Sequence, residues 1–326
     1  GVYMKKIFLL LMVLILPANL HAYSEQVLLG GQNVGIEAYS KGVIVVGFYK
    51  VDNRYIGSET LNVGDIILEI EGYPVNSIKE MTDIIDKNIK DGKVNVLIKR
   101  NNKEKETTMS LVKEGSVYKS GLYIKEKITG IGTITYIDPN TKITGLLGHE
   151  LTSALSNNKI EVKNGKLYSS AVSGIDRSTN GRVGSKNAKI DYNNSLGIVN
   201  KNSNVGIFGL YKSALPNNKL LNVAKWDEIE LGKATIYTTI NDSTVLPYEI
   251  TITKLNKNEI STNKSISFTV TDNNLLSVTG GIVQGMSGSP IVQNNKIIGA
   301  VTHVLVDDVV KGYAVFIRTM LEEGDR

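Results

Sequence analysis

The chain has 326 residues, 41% of them hydrophobic and 21% charged, with a formal net charge of +5 and no cysteine. This composition supplies packed cores and excludes global disorder, and the missing cysteines remove disulfides, thiolate metal sites and thiol nucleophiles together. The lysines are spread along the chain, which reads as a solvated surface with at most weak attraction to an anionic membrane and argues against a nucleic-acid partner.

Residues 1–26 read as an export signal. Met4-Lys5-Lys6 gives the positive start, and Ile7 to Leu16 is an unbroken apolar run, shorter than the ~20 residues a spanning helix needs. Pro17 ends the run, and "ANLHA" offers cleavage after Ala22; uncleaved, the segment is a short membrane anchor.

Residues 27–113 read as one small α+β domain. "GVIVVGFYKV" (Gly42 to Val51) is a buried strand, and "VGDIILEIEGYPV" (Val63 to Val75) is a turn, a strand and a second turn. "SIKEMTDIIDKNI" places Ile78, Met81, Ile84, Ile85 and Ile89 at helical spacing behind a capping-box start, Ser77 with Glu80. "KVNVLIKR" alternates as a strand does, Asn101-Asn102 makes a turn, and a last strand lies near Thr107 to Val112. This order of elements, with "GDIILEIEGYPV" at its centre, resembles a PDZ domain. The resemblance implies binding of an extended peptide by strand addition. It makes "NVGI" the glycine loop that takes the peptide's terminal carboxylate on the N–H groups of Val34, Gly35 and Ile36.

Residues 116–326 read as an all-β domain, a barrel or a sandwich. Short runs such as "GIGTITYIDP", "KATIYTTI", "YEITITKL" and "SISFTVTD" alternate with Gly and Asn turns. Asn294-Asn295 is a two-residue hairpin turn, since asparagine tolerates the positive φ such turns need. Helical periodicity is confined to the extreme C-terminus.

Three histidines occur, His21, His149 and His303, and the first lies in the export segment. His149 in "GLLGHEL" and His303 in "GAVTHV" are therefore the two candidates for a base working near neutral pH. Ser287 lies in "GMSGSP", between two strands. Gly285 permits an unusual backbone there, and the N–H groups of Gly285 and Ser287 can converge as an oxyanion hole. The spacing differs from the G-x-S-x-G elbow of α/β-hydrolases, because Ser289 stands where the last glycine belongs. An esterase on an α/β fold is disfavoured for the same reason and for the lack of alternating helices and strands. Two remaining histidines without cysteine leave no readable metal site.

"G-x-S-G-x-P" before a β-hairpin is similar to the nucleophile pattern of chymotrypsin-like serine proteases, and a histidine upstream with the serine last matches their chain order. Met286 stands where members activated by N-terminal cutting carry an acid, so no such activation is expected. The whole chain resembles the stage IV sporulation protein B peptidases, through "GGQNVGI", "GIGTITYIDP", "GLLGHEL", "VSGI", "VTGGIVQGMSGSPIVQNNKIIGAVTHV" and "GYAVFI". That resemblance implies a mainly β chain in which a PDZ domain precedes a chymotrypsin-like double β-barrel. It implies Ser287 as nucleophile, His149 as general base and Asp272 as the acid that fixes the imidazole. From the residues alone Asp227 and Asp242 compete with Asp272, and His303 is a structural neighbour or an alternative base. Glu150 stands where an apolar residue is expected and either alters His149 or faces solvent.

The same resemblance implies a signalling endopeptidase of sporulation that needs no cofactor. It is expected to act after export, between the forespore and mother-cell membranes. There it cuts a membrane-bound regulator and itself, leading to intramembrane proteolysis of a late sigma-factor precursor. The PDZ domain would take its own tail, a partner's tail or the regulator. The contrasting reading is an inactive protease-like adaptor in which only peptide binding survives.

Overall fold

The computed structural model describes residues 23–89, 92–156 and 158–325. Residues 1–22, which hold most of the expected export segment and His21, lie outside the described residues.

Strands β1 (Gln26–Leu29) and β2 (Asn33–Phe48) open the described chain. Then come β3 (Ile66–Ile70), β4 (Tyr73–Pro74), helix α1 (Ile78–Asn88), β5 (Lys93–Arg100) and β6 (Lys103–Ser110). A ribbon of β7 (Val112–Glu114) and β8 (Val117–Lys119) leads into β9 (Leu122–Ile137), which runs back antiparallel along β2. The small unit has its own core, including Val43, Val45, Ile67, Met81, Val96 and Ile98. The alternation of "KVNVLIKR" puts Val94, Val96 and Ile98 inside. Helix α1 starts where its cap dictates: Ser77 Oγ accepts from the Glu80 N–H at 3.0 Å, and the Glu80 carboxylate accepts from the Asn76 N–H at 2.8 Å. Met81 and Ile85 are buried, while Ile78 stays exposed.

The next strands are β10 (Ile143–Leu146), β11 (Val162–Asp176), β12 (Ser185–Ser203) and β13 (Gly206–Tyr211). They close with β2 and β9 into a six-stranded antiparallel ring, in the order β2-β9-β10-β13-β12-β11 and back to β2. Val34, Ile36, Leu146, Leu167 and Ile207 fill it. After β14 (Leu220–Val223) come β15 (Gly232–Thr239), β16 (Val245–Leu255), β17 (Ile266–Val270) and helix α2 (Asn273–Thr279). The chain ends with β18 (Pro290–Gln293), β19 (Lys296–Leu305), β20 (Asp308–Phe316) and helix α3 (Ile317–Asp325). A second six-stranded ring closes in the order β15-β16-β17-β20-β19-β18 and back to β15. Ile236, Ile250, Phe268, Ile291 and Phe316 fill this one. The fold is thus mainly β, a small α+β unit with a double β-barrel of the chymotrypsin-like kind. Strand β14 ties the barrels together, pairing antiparallel with β1 and parallel with β19. A third core of Tyr136, Phe208, Ile297 and Met320 fills the seam.

Here the structure corrects the sequence reading. Residues expected to start the PDZ domain belong to the first barrel. Val34, Gly35 and Ile36 pair with Gly132, Ile131 and Gly130 of β9 on one side and with Ser169, Tyr168 and Leu167 of β11 on the other. Val34 and Ile36 are buried. Both edges of this stretch are paired and its side chains fill a core, so it cannot also be a loop that takes a peptide's carboxylate. The small unit is instead inserted between the two long strands. β2 leaves the barrel at a register break between Tyr39 and Ile44. Gly42 has φ 90° there, and a Cβ would lie 2.6 Å from the Ile67 carbonyl oxygen.

Candidate active site

The serine loop hangs between α2 and β18. Its two main anchors are local. Met286, wholly buried, plugs the second barrel core. Gly288 (φ 90°) presses against the first barrel so closely that a Cβ would lie 2.2 Å from the Thr133 carbonyl oxygen and 2.5 Å from the Leu147 nitrogen. The loop therefore sits across the seam, touching both barrels.

The main-chain carbonyls of the loop are held on its inner side. Gln284 O accepts from the Lys186 N–H at 2.9 Å and Met286 O from the Ser289 N–H at 2.9 Å. Thr133 holds two more: its Oγ1 donates to Gly285 O at 2.8 Å and its N–H to Ser287 O at 3.1 Å. In a trans peptide the N–H points opposite the C=O. Fixing the carbonyls of Gln284 and Met286 therefore turns the N–H groups of Gly285 and Ser287 outward. The amides of Met286 and Gly288 donate to Val283 O and Val301 O, whereas those of Gly285 and Ser287 donate to no group among the described residues. Two unspent donors flank one residue, and a pair of free amides can serve an oxyanion where they converge.

His149 comes from the first barrel. Strand β10 ends at Leu146, and Leu147 and Gly148 both take positive φ (64° and 67°), turning the chain toward the serine loop. Gly148 packs against Thr302 and Val301 of β19. His149 Nδ1 lies 2.8 Å from the Glu150 carbonyl oxygen. A carbonyl can only accept, so Nδ1 carries the proton and Nε2 is left with its lone pair. Burial pushes the His149 pKa below the usual value, against a smaller upward pull from the Glu150 carbonyl and carboxylate. The ring is neutral at pH 7.

The rings of His149 and His303 are 5.2 Å apart, tilted by 43°. Burial first, then the positive charges of His149 and Lys264, push His303 down to about 4. Its Nδ1 is buried without a hydrogen-bond partner among the described residues. The Ser287 hydroxyl donates to the Thr302 carbonyl at 3.0 Å, one residue before His303. In this state the hydroxyl is held by the β19 main chain, not by an imidazole.

Asp272 is not brought to His149. It is the N-cap of α2: Oδ1 accepts from the Leu275 N–H at 2.9 Å and Oδ2 from the Glu249 N–H at 3.2 Å. Both oxygens are spent on backbone donors, so the acid expected from the resemblance does a helix-capping job. Asp227 is exposed in the 3-10 helix Trp226–Glu228, and Asp242 is exposed and bridges Val172 through its main chain. The carboxylate whose charge reaches His149 is that of Glu150, and its Oε2 is buried without a hydrogen-bond partner among the described residues. Sequence reasoning missed Thr133 and Lys186. Thr133 lies in the quoted "GIGTITYIDP", whose alternation marks it only as inward-facing.

A family model described as SpoIVB peptidase S55 matches residues 116–321. Among solved structures, the chain is similar to the Rv3671c protease of M. tuberculosis. Against its inactive form the TM-score is 0.31 at 15% identity, covering 59% of this chain and 81% of that one. Against the active form it is 0.32 at 13% identity, covering 59% and 71%. The PDZ domain of the SdrC-like protein (Lmo2051) from Listeria monocytogenes gives a TM-score of 0.22 at 24% identity, covering 26% of this chain and 87% of that domain. No curated relative matches the chain.

Proposed function

Because the chain belongs to the SpoIVB peptidase S55 family, and so is a serine peptidase, we propose that it hydrolyses peptides through an acyl-enzyme on Ser287. The Ser287 hydroxyl swings from the Thr302 carbonyl to His149 Nε2, which takes its proton as Oγ attacks the scissile carbonyl. The oxyanion forms against the N–H groups of Gly285 and Ser287. His149 returns the proton to the leaving amine, and water, activated the same way, releases the acid. The Glu150 main-chain carbonyl does for the tautomer what an aspartate does in the usual triad. His303, pushed down to about 4, is a poor proton acceptor, which leaves the role of base to His149.

The observation that carries this reading is the pair of unspent amides on either side of Met286, on the loop that bears Ser287 and packs beside Leu147. The test is Ser287→Ala beside wild type on a peptide substrate and in self-cleavage, with a fluorophosphonate probe on both. Loss of turnover and of labelling, with labelling of wild type lost also in His149→Ala, is the expected result. Equal turnover by Ser287→Ala sinks the proposal, and an unlabelled wild type favours the adaptor.

The family resemblance supports a substrate at a membrane surface. In this reading the enzyme acts after export, between forespore and mother cell, on a membrane-bound regulator and on itself, and so triggers intramembrane proteolysis of a late sigma-factor precursor. A peptide tail, displaced from Val34–Ile36, finds better support in a groove of about 880 Å³ lined by Ile78, Ile124, Ile128 and Leu155. Beside it, no described strand pairs with the outer edge of β9 from Tyr123 to Ile131, and a free edge with apolar pockets suits strand addition.

A further inference from the structure

Lys186, near the start of β12, is 3% exposed. No carboxylate lies within ion-pair distance of it among the described residues. An unpaired buried ammonium is costly, by several kcal/mol in real proteins, and lysine is almost never buried without a partner. Its place explains what the cost supports. The Lys186 N–H holds Gln284 O at 2.9 Å. Its methylenes form the floor under Gly285, where an added Cβ would meet Cδ, Cβ and Cγ at 3.1–3.2 Å. Its Nζ lies 3.1 Å from Thr238 Oγ1 and 3.5 Å from Thr133 Oγ1.

Both of those hydroxyls reach the loop. Thr133 Oγ1 donates to Gly285 O, and Thr238 Oγ1 accepts from Ser289 Oγ at 2.9 Å. An ammonium can only donate. It therefore commits the lone pairs of both threonines and frees the Thr133 proton for the loop carbonyl. Gly285 is thereby fixed in both of its peptide planes, one by the Lys186 main chain and the other through the Lys186 side chain.

Resting on the serine-peptidase reading, we propose that Lys186 is a positioning residue that aims the Gly285 N–H at the oxyanion, its ammonium locking the serine loop through Thr133 and Thr238. The groups that meet it are Thr133 of β9, Ile175 of β11, Thr238 of β15 and Gln284 and Gly285 of the loop, none of them titratable. Desolvation alone brings its pKa down to about 7. The locking charge is present below that value and is lost as pH rises through it.

The test is Lys186→Met, which keeps the N–H and the methylene floor and removes the charge. A slightly misaimed donor costs up to about 100-fold in rate, so kcat is expected to fall about 10- to 100-fold with KM unchanged. The wild-type kcat profile is expected to decline on its alkaline side near pH 7, and the variant to lack that decline. Its Tm at pH 7 should rise, because a buried unpaired charge has gone. A lysine that merely fills space would move neither the pH profile nor the split between kcat and KM. Thr238→Val, which keeps the charge and removes one relay hydroxyl, is the second variant and should also lower kcat at constant KM. Wild-type kcat with an unchanged alkaline limb in Lys186→Met, or wild-type kcat in Thr238→Val if the methionine variant does not fold, overturns the proposal. Ser287→Ala run in parallel separates the two failures: if it too retains turnover, the peptidase reading has failed rather than the role of Lys186.

Discussion

His149 and His303 face each other across the seam with ring centroids 5.2 Å apart, and their surroundings give them different tasks. The Glu150 carbonyl fixes the His149 tautomer, whereas His303 Nδ1 has no hydrogen-bond partner among the described residues.

His149→Ala is expected to lower kcat/KM by about 10⁴-fold or more, the scale for loss of a triad base, while His303→Phe stays within about tenfold of wild type on the same scale. Because burial holds His149 below its ordinary value, the acid limb of wild-type kcat/KM should have its midpoint below 6.5. Rate measurements from pH 4 to 7 decide both points. A larger loss in His303→Phe than in His149→Ala would reverse the assignment.

Asp272 separates a cap from a catalytic acid. Alanine there should destabilise the fold by ~0.5–2 kcal/mol through α2, while asparagine, an equally good cap, should be nearly neutral. In a true triad the same asparagine costs about 10⁴ in kcat. Chemical denaturation and kcat of Asp272→Asn give the answer, and a loss of that size in a stably folded protein would make Asp272 the acid after all.

Gly288→Ala should fail on both counts. Its φ of 90° is unfavourable for alanine, and the new Cβ would strike the Thr133 carbonyl. Strained backbone of this kind costs about 1–3 kcal/mol, and relief by lifting the loop would pull Ser287 from His149. A lowered Tm together with slower fluorophosphonate labelling is the expected pair of results.

The inserted unit should be removable. Replacing residues 41–125 by Asn-Gly joins Ser40 to Glu126 through a two-residue hairpin turn, in the register set by Tyr39 opposite Lys127. The double barrel should stay folded and cleave short peptides. Deletion of residues 27–113, the boundaries the sequence suggested, takes most of β1 and all of β2 and should unfold it. Circular dichroism of the two variants tests the insertion directly.

What the sequence made legible was local. Asn294-Asn295 and Asn101-Asn102 do take positive φ between paired strands, because turn chemistry needs no distant partner. Ser287, with a histidine ahead of it, could be singled out because serine loops and histidines are scarce. The place of β2 could not be read. "NVGIEAYS" alternates like any strand, and its neighbours, β9 and β11, lie about a hundred residues or more away in the chain. Asp272 followed a family pattern, but whether a carboxylate meets a ring or a helix end is decided by packing. Lys186 was one of 37 basic residues, and only the fold shows that it points inward.

One length of backbone joins the groove to the serine loop. The stretch of β9 that borders the apolar groove, Lys125 to Thr129, continues without interruption to Thr133, whose amide and hydroxyl grip two carbonyls of the serine loop. At ~3.3 Å per residue the span is that of a short lever, too stiff to yield at one end and rest at the other. A peptide seated along the outer margin of that strand is therefore expected to steady the grip, and slowed hydrogen exchange at the Thr133 amide on peptide addition is the measurement that checks it.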